Sequence, residues 1–151
     1  MLLKGFKSRI QMENAIMILK MPQFKHYHRG GLSSFMGWQK TSAGNHQYQL
    51  KLSLPAWYPD ETPSLYVISP QTLWKYGGAT VNSVGTSHAF HTLENGPGGC
   101  VQICHFNPEN WDASKTCVGV FIKGILWLEA YEMHLVSGMN IAEILKQWKR
   151  R

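Results

Sequence analysis

One stretch gathers five side chains with nucleophilic or metal-binding chemistry: His88, His91, Cys100, Cys104 and His105. A thiolate is a strong nucleophile at modest basicity, and a thioester formed on it keeps its acyl group reactive toward an amine. That chemistry needs an exposed cysteine, a hydrogen-bond donor for the tetrahedral oxyanion and a way to deprotonate the incoming amine. His88, His91, Asn95, His105 and Asn110 offer donor or positioning roles. His105 adjoins Cys104 in sequence, but neighbours on an extended segment point to opposite faces. Two other uses of the same residues stay open. His88-x-x-His91 and Cys100-x-x-x-Cys104-His105 supply enough ligands for tetrahedral zinc, although the spacings are irregular for a common structural site, and no metal or other cofactor is assigned. A thiol hydrolase would instead need a histidine paired with the cysteine.

These residues lie between 71 and 113, a stretch that reads as irregular and carries Gly77, Gly78, Gly85, Gly96, Pro97, Gly98 and Gly99. Long segments without secondary structure in compact domains are usually functional. The elements that position it lie on either side. Residues from about Phe6 to Lys20 read as a helix with Met12, Ala15, Ile16 and Leu19 on one face, Ile10 and Met17 flanking, and Pro22 marking its end. Ser34 to Thr41 reads as a strand, and Gln47 to Leu54 as a clearer one, because Tyr48, Leu50, Leu52 and Leu54 alternate with polar residues. Gly44-Asn45 is a plausible hairpin turn between them. A stiff loop with Pro55, Pro59 and Pro63 leads to a short strand, Ser64 to Ser69. After the irregular stretch, Asp112 or Ser114 caps a long helix with Cys117, Phe121, Ile125, Leu128, Tyr131 and Leu135 on one stripe. Val118, Ile122 and Leu126 widen the stripe, and Gly138 stops the helix. A short amphipathic helix, Ile141 to Trp148, follows. Cys100 reads as a small, partly buried residue and Cys117 as a core residue.

A chain of 151 residues fits a single domain, 1–151. An odd number of cysteines, three, argues against a disulfide framework and for a reducing compartment. The first residues lack an apolar core of signal-peptide length, and the apolar run Cys117 to Leu128 is too short to span a bilayer and is interrupted by Lys123, so a cytoplasmic protein without membrane contact is expected. The net charge of +6 is concentrated at the ends, in Lys4, Lys7 and Arg9 and in Lys146, Lys149, Arg150 and Arg151. With no nucleic-acid-binding motif present, an acidic protein surface is the expected partner, and nucleic acid is not.

The order of helix, meander, proline loop, glycine-rich stretch and helices resembles the ubiquitin-conjugating fold, an α+β fold with an N-terminal helix, an antiparallel meander of about four strands and C-terminal helices. Tyr58-Pro59-Asp60-Glu61-Thr62-Pro63 resembles the family's Tyr-Pro-x-x-x-Pro segment. Gln102-Ile103-Cys104-His105, with Trp111 shortly after, resembles the segment bearing its catalytic cysteine. Trp127-Leu128-Glu129-Ala130-Tyr131-Glu132 followed by Ser137-Gly138 is similar to a bacterial branch found in antiphage operons beside a cyclic-oligonucleotide synthase. The resemblance runs from about Tyr48 to the end. Val101 departs from the family's glycine, and Glu94-Asn95-Gly96 stands where the family has His-Pro-Asn; His88-Ala89-Phe90-His91 is the candidate replacement. The resemblance implies that Cys104 forms a thioester with a protein C-terminus, which would be that of the synthase, and passes it to an amine. It also implies a separate activating enzyme or a donor already activated, because the chain is too short to add an adenylation domain. An inactive binding module that kept the fold is the alternative, and the presence of Cys104 weighs against it.

Overall fold

The structure, a computed structural model, describes residues 8–42, 46–106 and 108–150. Lys4, Lys7, the expected helix start at Phe6 and the Gly44-Asn45 turn lie outside these residues. In chain order the elements are α1 (Arg9–Lys20), β1 (Lys25–Arg29), β2 (Leu32–Lys40), β3 (Gln47–Leu54), β4 (Ser64–Ser69), β5 (Thr92–Leu93), β6 (Val101–Ile103), α2 (Cys117–Ser137) and α3 (Ile141–Lys149). The architecture is α+β, with an N-terminal helix, an antiparallel sheet and C-terminal helices.

The sheet has six strands in the order β1-β2-β3-β4-β6-β5, where about four were expected. The extra strands carry no alternation that a sequence could display. Edge strand β1 is Lys-His-Tyr-His-Arg and mostly exposed, while β5 and β6 are two and three residues long. β6 lies beside β4, with Leu65 opposite Ile103 and Val67 opposite Val101, so the end of the proline loop and the approach to Cys104 share one sheet. The alternation in β3 is real: Tyr48, Leu50, Leu52 and Leu54 are buried and their neighbours are not.

α2 crosses the face that these residues cover. At Gly124 an added Cβ would lie 2.6 Å from Leu65 Cδ2, so the helix approaches the sheet closely here and a larger residue would displace the Leu65 side chain. Phe24 stacks on Phe121 with ring centroids 4.0 Å apart, and Tyr48 meets Tyr131 edge-on. Such aromatic contacts add to the apolar area they bury. The helix is capped by Thr116, whose hydroxyl accepts from the Gly119 N–H, and not by Asp112 or Ser114. Those two close a turn of their own, the Ser114 N–H and hydroxyl both donating to Asp112. Gly138 ends the helix at φ 74°, as a left-handed cap that glycine adopts without Cβ strain. Ile122 and Leu126 do not widen the buried stripe: they are 48% and 45% exposed, because the core side of α2 runs instead through Val120, Gly124, Trp127 and Ala130.

The face of α1 also differs from the expectation. Leu19 is 81% exposed, and the buried residues are Met17 and Glu13, one turn apart. A search for apolar periodicity cannot include a glutamate. Glu13 is buried because its carboxylate is fully used. It accepts from the Arg9 guanidinium at 3.2 Å, from the Cys117 backbone N–H at 3.1 Å and from the Tyr58 hydroxyl. Arg9 also donates to the carbonyls of Ala113 and Lys115. One buried cluster thus ties α1, the proline loop and the start of α2 together, and Arg9 is occupied within it instead of forming a docking surface. Burial, with Glu13 close by, pushes the Cys117 thiol far up, so this cysteine is a core residue.

Candidate functional site

The stretch around the cysteines gains its geometry from backbone carbonyls. His88-Ala89-Phe90-His91 is a tight turn in which each carbonyl has a donor. The His91 N–H reaches the His88 carbonyl at 3.2 Å, and the Ala142 N–H at the head of α3 reaches that of Ala89 at 2.9 Å. Trp127 Nε1 on α2 donates to the Phe90 carbonyl at 2.9 Å, and the Cys104 N–H donates to that of His91 at 3.0 Å. The turn is therefore fastened to both C-terminal helices and to the residue that follows β6. His91 sits at φ 55°, a left-handed conformation costly for a residue with a Cβ.

Cys104 leaves β6 half-buried and lines a groove of about 460 Å³ between this turn and the C-terminal helices. His88, His91 and His105 border it, together with Lys123 and Leu126 from α2 and Ala142, Leu145, Lys146, Trp148 and Lys149 from α3. Burial raises the Cys104 thiol above its ordinary value, and the Lys123 ammonium opposes that shift. Lys123 is itself held below its ordinary value, first by burial and then by Lys149 and Lys115. Its Nζ lies 3.8 Å from the centre of the Phe106 ring, two residues beyond the cysteine. Burial, then Lys149, His88 and Lys123, lower the His91 imidazole, which is neutral at neutral pH and able to take a proton.

Of the other expected residues, His105 reaches the groove wall from a buried position, and Asn95 and Asn110 lie elsewhere. His105 is buried, its Nε2 donating to the Pro63 carbonyl at 2.6 Å and its Nδ1 enclosed without a partner; burial drives it down to about 4. It packs edge-on against Trp111, whose Nε1 donates to the Pro59 carbonyl, so both residues clamp the proline loop to the segment after Cys104. Asn95 donates to the Asn82 carbonyl, and Asn110 is exposed; neither lines the groove. Cys100 is buried rather than partly so, and it faces Gly96, where an added Cβ would meet its sulfur at 3.1 Å. Among the described residues no group of three or more His, Cys, Asp or Glu is placed to hold a metal ion. No described helix is long and apolar enough to cross a membrane.

Lys123 was legible only as a charge interrupting an apolar helix. The groove-facing set on α3, Ala142, Leu145 and Lys149, follows helical spacing but reveals nothing until the turn at 88–91 is seen beneath it. The segment Trp127 to Glu132 has a structural role: Glu129 accepts from Ser42, and Glu132 accepts from the hydroxyls of Thr41 and Tyr48, fastening the β2–β3 connection to α2. Comparisons of the chain with protein-family models, with curated proteins and with solved structures find no match.

Proposed function

We propose that this protein is an acyl-transferring cysteine enzyme of the ubiquitin-conjugating type, with Cys104 as the carrier. The observation that supports this most is the setting of Cys104: a half-buried thiol at the edge of an apolar groove, with a neutral histidine and a lysine around it and its backbone held by the His91 carbonyl. The order of elements, with one helix before an antiparallel sheet and two after it, agrees with the ubiquitin-conjugating fold. In the first step the Cys104 thiolate attacks an activated C-terminal carbonyl; the C–S bond forms as the bond to the leaving group breaks. In the second, an amine attacks the thioester; the C–N bond forms, the thiolate departs, and the amine proton passes to a base. His91 is the base of choice because it lines the groove with Cys104 and its carbonyl holds the Cys104 N–H. The oxyanion donor comes from the other groups that share the groove, His88 and Lys123, since Asn95 and Asn110 are elsewhere.

The acyl donor is the C-terminus of a cyclic-oligonucleotide synthase in a bacterial antiphage system, as the resemblance of Trp127 to Gly138 suggests. Coexpression with a synthase encoded beside this protein tests the reading. A covalent adduct that is lost with Cys104→Ala supports it; no adduct and no complex on gel filtration counts against it.

A further inference from the structure

The groove beside Cys104 is one-sided in charge. Lys123, Lys146 and Lys149 line it, and no Asp or Glu does. Among the described residues none of the three lysines has an ion-pair partner; the ion pairs are Arg9–Glu13, His46–Glu132 and Lys115–Asp112. Lys149 lowers both Lys123 and His91, so these positive charges act on one another across the groove. The walls between them are apolar, formed by Leu126, Ala142, Leu145 and Trp148. Uncompensated like charges around an apolar cleft favour an occupant that is both anionic and apolar.

We propose that this groove selects the acyl donor, and that the donor is a polypeptide C-terminus with carboxylate side chains flanking an apolar residue in its last few positions. This rests on Cys104 being the acyl carrier. The apolar residue packs against Leu126, Leu145 and Trp148, and the carboxylates answer Lys123, Lys146 and Lys149. A coenzyme-A thioester would also bring an apolar group and negative charge, but its phosphates lie a full pantetheine arm from the reacting carbonyl. Here Lys123 acts directly on Cys104, and Lys146 and Lys149 line the same groove as the sulfur. In the step at issue the Cys104 thiolate attacks the donor thioester carbonyl. One C–S bond forms, the donor's C–S bond breaks, and the departing thiolate takes up the proton given up by Cys104.

The test uses the full chain and three probes: a short peptide with two glutamates flanking a leucine near its C-terminus, activated as an alkyl thioester; its twin with lysines for the glutamates; and acetyl-coenzyme A. Initial rates of adduct formation on Cys104 are read by intact mass. The glutamate peptide should react about tenfold faster than the lysine peptide at low salt, with the ratio shrinking as salt rises. The double variant Lys146→Glu/Lys149→Glu, at two exposed positions, should reverse the order. Equal rates for the two peptides, or acetyl-coenzyme A outpacing both, would overturn the proposed selectivity while leaving Cys104 as carrier. No adduct with any probe, from a Cys104 still alkylated by iodoacetamide, would overturn the carrier assignment and the selectivity with it.

Discussion

The backbone N–H of Cys104 donates to the carbonyl of His91 across 3.0 Å, and among the described residues His91 is the only non-glycine at positive φ. The strained residue and the candidate nucleophile are therefore joined through the backbone. Their roles separate by substitution. His91→Val places a β-branched residue in the left-handed region and should cost about 1–2 kcal/mol or more. His91→Asn tolerates that conformation and should melt close to the parent, but lacks the imidazole. Aminolysis of an acyl group on Cys104 should slow strongly in His91→Asn. Unchanged aminolysis would confine His91 to holding the backbone.

The three cysteines should differ sharply toward iodoacetamide. Burial raises all three thiols, but Cys104 is half-buried while Cys100 and Cys117 are buried. Peptide mapping of the native protein should find Cys104 alone modified, with the other two reacting after unfolding. Lys123→Met removes the one charge that favours the Cys104 thiolate, so its rate profile should move to higher pH and labelling at pH 8 should slow severalfold. An unmoved profile would show that Lys123 does not act on the sulfur.

Three of the six strands, β2, β3 and β4, and the long helix were legible in the sequence, β3 most clearly because it alternates cleanly, and α2 because it carries an apolar stripe ended by Gly138. The core face of α1 was not legible, since half of it is a buried carboxylate whose partners come from residues 58 and 117. Cys104 was picked out by its neighbours Ile103 and Trp111, and the histidines by their proximity in the chain. The groove was not, because Lys123 comes from α2 and Leu145 and Lys149 from α3, helices later in the chain that only tertiary packing brings to the groove lined by Cys104.

The buried cluster around Glu13 should dominate stability at the N-terminal end. Arg9→Ala leaves the Glu13 carboxylate, 1% exposed, without its cation, a loss of about 3 kcal/mol at neutral pH. Urea unfolding measures it. A loss below about 0.5 kcal/mol would mean that the Tyr58 hydroxyl and the Cys117 N–H suffice for this carboxylate.

His105 makes a pH-dependent contribution of definite sign. Its folded value, about 4, lies below the ordinary 6.5, so between these values the unfolded chain binds more protons. Stability is full above pH 6.5 and falls as the pH drops toward 4, by an amount on the order of 3 kcal/mol. His105→Gln keeps a donor for the Pro63 carbonyl and has no titration, so its thermal midpoint should fall less between pH 7 and pH 4.5 than the parent's. Parallel curves would show that His105 is not the group responsible.

The assignment of Cys104 as acyl carrier is tested most directly by Cys104→Ser. A serine oxygen forms an ester, which is far less reactive toward amines than a thioester, so with an activated donor the variant should accumulate a stable adduct that peptide mapping places at position 104. Cys100→Ser and Cys117→Ser should turn over as the parent does. A stable adduct at position 100 in Cys100→Ser, with Cys104→Ser still turning over, would contradict the assignment.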